Sequence, residues 1–258
     1  MTSLNLMFDA DDTLWENNVF FEEVIESVFV ELERTGIHRG GLRERLDAIE
    51  RENCRVYGYG CAVFQRSLED FVADVRQAPC GAEESAWIAR LCRPIRDGAI
   101  ELLPGVRATL EALAARHRLF LLTKGAVDEQ ERKIGSSGLA DLFEAIEIVV
   151  DKTADVYEAF LIRYDLDRRH TWMIGNSPRS DVLPALAAEL GSVLVPHPAT
   201  WSLEQDTVPP VSARFTVVER FTELVALFGE QIAEEIVEEI AEEIAEEIAE
   251  EIAAEGMT

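Results

Sequence analysis

Lysine is scarce in this chain of 258 residues: Lys124, Lys133 and Lys152 stand against 21 arginines. A chain that otherwise chooses Arg places a compact ammonium where a point charge is wanted, so each of the three calls for a reason. Cysteine is also sparse. Cys54, Cys61, Cys80 and Cys92 show no CxxC spacing, which argues against a zinc site or a disulfide frame and for reduced thiols in a cytoplasmic protein. No apolar run approaches the roughly 20 residues that span a bilayer. The N-terminus has no basic stretch, and Asp9 interrupts its apolar run, so neither a signal peptide nor a membrane anchor is expected. Positive charge is outweighed throughout: the net charge is −26, which argues against non-specific nucleic-acid binding. Nearly half of that excess lies between Glu230 and Glu255, a segment with twelve Glu and no Lys or Arg.

What the chain does have begins at Leu4-Asn5-Leu6-Met7-Phe8, followed by Asp9-Ala10-Asp11-Asp12-Thr13. The apolar run reads as a buried parallel strand. Carboxylates gathered at its end repel one another, and burying them unpartnered is costly. A divalent cation is the simplest reason to place Asp9 and Asp11 there, since Mg²⁺ takes one or two carboxylates and leaves room for phosphate oxygens. The plainer reading is an acidic turn after a core strand.

Downstream, apolar residues recur at helix spacing from Val19 to Leu32, from Leu42 to Val56, from Phe64 to Val75 and from Trp87 to Cys92, the last ending at Pro94. Four helices are too many for one crossover and read as an inserted helical module, residues 16–99. Strand–helix alternation then resumes. Strands are expected at Arg118–Thr123, Ala145–Val150, Thr171–Gly175, Ser192–Pro196 and Phe215–Val218. Helices are expected to about Arg116, over Val127–Ser137, Ala154–Tyr164 and Asp181–Leu190, and finally over Phe221–Phe228. This alternation implies an α/β fold with a Rossmann-like, doubly wound parallel sheet, in which ligands bind beyond the carboxyl ends of the strands.

Four stretches at those ends stand in order: Asp9-Ala10-Asp11-Asp12-Thr13, then Thr123 closing Leu119-Phe120-Leu121-Leu122, then Lys152, then Gly175-Asn176-Ser177-Pro178-Arg179-Ser180-Asp181. Together they resemble the four motifs of the haloacid dehalogenase superfamily. The resemblance runs to about Phe228. It implies a core of residues 1–15 and 100–228, with residues 16–99 as a small α-helical cap that closes over the active site.

The resemblance also assigns roles. Asp9 would be the nucleophile, forming an aspartyl-phosphate; otherwise it is a strand-end carboxylate that only binds metal. Asp11 would be the general acid and then the base, and because the superfamily's dehalogenases lack this second Asp, it favours phosphoryl chemistry. Thr123 would bind a phosphoryl oxygen, or else cap the next helix. Lys152 would neutralise the nucleophile and the phosphoryl group; it is preferred to Lys133, which lies mid-helix, because it follows a strand. Lys124 would add positive potential, and Trp15 and Asn17 could contact the leaving group, although aromatic residues there also suit a cap core. Asp9, Asp11, Asn176 and Asp181 would hold Mg²⁺. Asn176 stands where the family usually has an acid, so the site loses a charge; Asp181 could equally be a helix N-terminal carboxylate. Asp12 reads as a turn residue, Thr13 as a turn or cap hydroxyl, and His197 as structural.

The expected activity is a Mg²⁺-dependent phosphatase of a small phosphorylated metabolite. The alternatives are a phosphomutase, a haloacid dehalogenase, or a catalytically weak protein that binds a partner through its tail. That tail, residues 229–258, repeats Glu-Glu-Ile-Ala. Its isoleucine stripe drifts by about 40° per repeat, which fits no straight coiled-coil seam. Its glutamates repel at i,i+4 by roughly 0.2–0.5 kcal/mol per pair. A marginal solvated helix is expected there, with a protein partner as the alternative.

Overall fold

The computed structural model describes residues 3–231; the glutamate-rich repeat expected to be helical lies outside them. Six strands form one parallel sheet in the order β3-β2-β1-β4-β5-β6: β1 Asn5–Phe8, β2 Arg118–Lys124, β3 Ala145–Val149, β4 Thr171–Gly175, β5 Gly191–Leu194 and β6 Phe215–Val217. The first strand is central. The chain builds outward on one side through β2 and β3, then returns to build the other side from β4.

Alternation along the strands feeds two apolar layers, because successive side chains leave opposite faces. Leu6 and Phe8 of β1, Leu119 and Leu121 of β2, and Trp172 and Ile174 of β4 share one cluster with Val106 and Leu110. The latter two come from α5, Val106–Ala114. Met7, Phe120, Leu122 and Met173 point the other way, onto Tyr157 and Phe160 of α7, Ala154–Tyr164. Both faces are thus covered, as expected of strands that read as continuous apolar runs.

Between β1 and α5 stand four helices: α1 Asn18–Arg34, α2 Leu42–Tyr57, α3 Cys61–Arg76 and α4 Ala82–Asp97. They share an apolar cluster drawn wholly from their own stretch of chain, including Val28, Leu46, Leu68 and Ile88. Two boundaries differ from the expected ones. Helix α4 does not end at Pro94 but continues to Asp97. Pro94 and Arg90, whose carbonyl loses its partner, are both exposed, and buried Ile95 draws the last turn onto the cluster. The helix expected over Asp181–Leu190 is a π-turn, Pro178–Val182, followed by the short α8, Leu183–Ala187. The stretch Phe221–Phe228 is likewise a 3₁₀ turn, a single α turn and a π-turn.

Candidate active site

The carboxyl ends of β1, β2 and β4 open onto a cavity of about 140 Å³ whose other walls come from α1, α2 and α3, from Gln130 and Lys133, and from Trp201 and Glu204. Strand β1 delivers Asp9, whose amide donates to the Ile174 carbonyl of β4 at 2.9 Å. The loop after β3 delivers Lys152. Its Nζ lies 2.5 Å from Asp9 Oδ1 and 2.7 Å from Asp181 Oδ1, and the ammonium is buried. Burial works against its charge, but the two carboxylates outweigh it and raise the Lys152 pKa. Two acids share one ammonium, so burial and the like charge of Asp9 push Asp181 up to about 7 even against the attraction of Lys152.

Asp181 is aimed by local backbone. Ser177 caps the π-turn by accepting from the Ser180 amide, and the Ser177 amide donates to Asp181 Oδ2 at 2.9 Å. The carboxylate lies against Gly175, where a Cβ would stand 2.1 Å from Oδ2, so only glycine admits it there.

Asp11 forms a second centre on the same cavity. Lys133 Nζ reaches both of its oxygens at 2.8 Å, Gln130 Nε2 donates to Oδ2 at 2.8 Å, and Trp15 Nε1 donates to Oδ1 at 2.7 Å. Burial alone would raise its pKa, but the Lys133 charge and these donors overcome that and hold it low. Lys133 and Gln130 come from α6, Val127–Ser137. Lys124, at the end of β2, pairs with Glu204 at 2.5 Å and donates to Ser180 Oγ at 2.7 Å. Thr123 and Asn17 line the same cavity.

A family profile of haloacid dehalogenase-like hydrolases matches residues 5–189. The chain belongs to that family. Among solved structures, a haloacid dehalogenase-like hydrolase from Xanthomonas campestris is 29% identical, with a TM-score of 0.77 over 90% of this chain and 93% of that one. A HAD hydrolase from Bacillus subtilis, solved bound to magnesium, is 16% identical, with a TM-score of 0.63 over 89% and 100%. The L-2-haloacid dehalogenase of Xanthobacter autotrophicus, solved with chloropropionic acid covalently bound, is 17% identical, with a TM-score of 0.59 over 89% and 100%. No curated protein matches in sequence.

Within this haloacid dehalogenase-like hydrolase, most of the expected residues meet at one cavity, and Trp15 does not. It is 1% exposed and packed in the core below the sheet ends, so its ring faces no ligand and its indole N–H orients Asp11. Asp12 does stand in the turn, at a φ of 59°, but it is buried rather than solvated. Its carboxylate accepts from the Asn17 and Asn18 amides at 3.0 and 2.9 Å, capping α1, and burial pushes its pKa to about 7 against those bonds. Thr13 is buried, with its hydroxyl 3.1 Å from Asp9 Oδ2 and 3.2 Å from Asn176 Oδ1.

Lys133, Gln130 and Glu50 were not foreseen as site residues. A signal existed. Gln130 and Lys133 share the buried stripe of α6 with Ile134 and Ser137, and Glu50 shares that of α2 with Leu46 and Asn53. Polar residues on a helix's inward stripe require a partner or a ligand.

The donor set suits Mg²⁺. Asp9 Oδ2 and Asn176 Oδ1 share the single proton of the Thr13 hydroxyl, so each keeps free lone pairs, and all the donors are hard oxygens. Asp9 and Asp181 also exceed Lys152 by one negative charge. The Asp11 carboxylate turns to Lys133, which leaves the backbone carbonyl, the atom the resemblance implies at this position, as what Asp11 would offer a metal. A separate group, Asp12, Glu16 and His197, brings its ligand atoms within 4.8 Å of one another. There Asp12 serves as a helix cap, and His197 Nδ1 accepts from the Ala199 amide. Among the described residues no helix is long and apolar enough to cross a membrane.

Proposed function

We propose that this hydrolase is a cytoplasmic phosphatase of small phosphate monoesters, working through an aspartyl-phosphate on Asp9, with residues 16–99 as the cap that sets the substrate. The observation that carries this reading is the Asp11–Lys133 pair on the cavity beside Asp9. Halide leaves carbon without needing a proton. An alkoxide leaving phosphorus needs one, and this pair holds a proton within reach.

In the first step an Asp9 oxygen bonds to phosphorus while the bond to the ester oxygen breaks. The leaving oxygen takes a proton from the Asp11–Lys133 pair and departs as an alcohol. In the second step water attacks phosphorus and returns a proton to the pair. The Asp9–phosphorus bond breaks and phosphate is released. Because Asp11 is held ionised at rest, the pair's proton sits on Lys133 and passes through Asp11 as charge grows on the leaving oxygen. Lys152 balances Asp9 and the phosphoryl oxygens, and Thr123 and Lys124 donate to those oxygens. Asp9, the Asp11 backbone carbonyl, Asn176 and Asp181 would hold Mg²⁺, which when bound neutralises phosphoryl charge.

A dehalogenase is the second reading, favoured by Asn176 in place of an acid. The two separate on product. The expected result is phosphate release from a generic aryl phosphate with Mg²⁺, its loss with EDTA, and no halide from 2-chloropropionate. Asp9→Asn should abolish release without lowering the melting temperature. Halide release without phosphate release would overturn the phosphatase reading.

A further inference from the structure

Glu50 is a buried carboxyl group that the proposed chemistry does not use. It sits on the inward stripe of α2, is 4% exposed, and lines the cavity. Trp201, also on the cavity, favours its ionised form, while Oε2 has no partner. An unpartnered buried acceptor is the mark of a missing donor. The surrounding charges do not supply one. Arg43 attracts Glu50, but Arg43 is already engaged by Glu22 at 2.6 Å and Asp47 at 2.8 Å, so the neighbourhood is left negative. Burial, the largest influence, pushes Glu50 up to about 7.

The wall beside it is aromatic. Phe21 and Phe64 stack edge to face with centroids 4.8 Å apart, and both line the cavity with Trp201. Aromatic faces attract cations. Tyr59 is already covered, with Lys124 Nζ standing 4.7 Å over its ring. Gln130 Oε1, also on the cavity, is a second buried acceptor without a partner.

We propose that Glu50, with Phe21, Phe64 and Trp201, binds a protonated amine on the alcohol half of the substrate, making the ester an aminoalkyl phosphate. An ammonium entering this negative, aromatic-walled pocket draws Glu50 into its ionised form, an attraction that a neutral donor does not offer. The phosphate end of this proposal rests on the phosphatase reading; the amine end does not.

The test compares 2-aminoethyl phosphate, 2-hydroxyethyl phosphate and propyl phosphate on the full chain. The amino ester is expected to exceed propyl phosphate in kcat/KM by at least about tenfold, and Glu50→Gln is expected to lower that ratio at least about tenfold. A wild-type ratio near one, or a ratio unchanged in the variant, overturns the proposal. Equal use of the hydroxyethyl ester overturns the amine in favour of a neutral donor. If Glu50→Gln does not fold by its melting curve, Glu50→Leu replaces it. If no ester releases phosphate, the phosphatase reading has failed, and the subsite is judged by a thermal-shift titration with ethanolamine. Stabilisation of wild type but not of the variant supports the subsite, and equal response overturns it.

Discussion

Lys133 Nζ stands 2.8 Å from both carboxylate oxygens of Asp11 and 2.8 Å from Asn17 Oδ1. This contact fixes the state of Asp11, because burial alone would raise its pKa and Lys133 reverses the sign.

Lys133→Ala should therefore release Asp11 to a higher pKa. Turnover should fall by at least about tenfold, and the acidic limb of the pH–rate profile should move to higher pH. A profile from pH 5 to 9 that superimposes on wild type would remove Asp11 from the proton path.

Lys152→Met should damage stability as well as rate. It leaves Asp9 and Asp181 buried against each other with no counter-charge, a loss of roughly 3–5 kcal/mol for breaking a buried ionic group. Turnover should fall on the order of 10²-fold or more. Denaturant unfolding and phosphate release read the two losses separately.

Glu50 gives a pH dependence of stability with a defined sign. Its folded pKa of about 7 lies above the usual glutamate value of 4.5, so the folded state holds a proton that the unfolded chain has lost. The stability this group contributes is present below the unfolded value and lost as pH rises through about 7. Relative to Glu50→Gln, wild type should lose up to about 3 kcal/mol between pH 4.5 and 8. Unfolding of both proteins at pH 5 and pH 8 checks it; a constant difference would mean Glu50 titrates normally.

Removing residues 232–258 should leave turnover of a small ester within about threefold, or about 0.6 kcal/mol, since every proposed catalytic group precedes them. The cut must stay beyond Phe228. That ring packs on Trp172 with centroids 5.8 Å apart, and its carbonyl lies 3.1 Å from His117 Nε2. Cutting ahead of Phe228 should cost roughly 3–5 kcal/mol. Melting temperature and activity of the two truncations test both statements.

The parallel α/β sheet was legible because its strands are buried on both faces and so read as uninterrupted apolar runs, as in Leu119-Phe120-Leu121-Leu122. The family was legible because its polar residues fall at the ends of those runs, where local sequence alone places them. Lys152 could be told from Lys133 by such a rule, yet the rule understated Lys133. A helix brings residues 133 and 130 to one face, but which carboxylate that face meets depends on packing across 122 residues. The same holds for Trp15. Its position after the acidic turn was plain, while the direction of its ring was decided by the core below it. Glu50 depends on packing most of all. Its burial comes from the helical module, and its cavity exists only where that module meets the strand ends. The sequence by itself determined the order of elements and the chemistry gathered at the strand ends, because both follow from near-neighbour periodicity. The tertiary structure alone decided which charges meet and which are left unpaired, because electrostatic partners are set by distance in space and by exclusion of water.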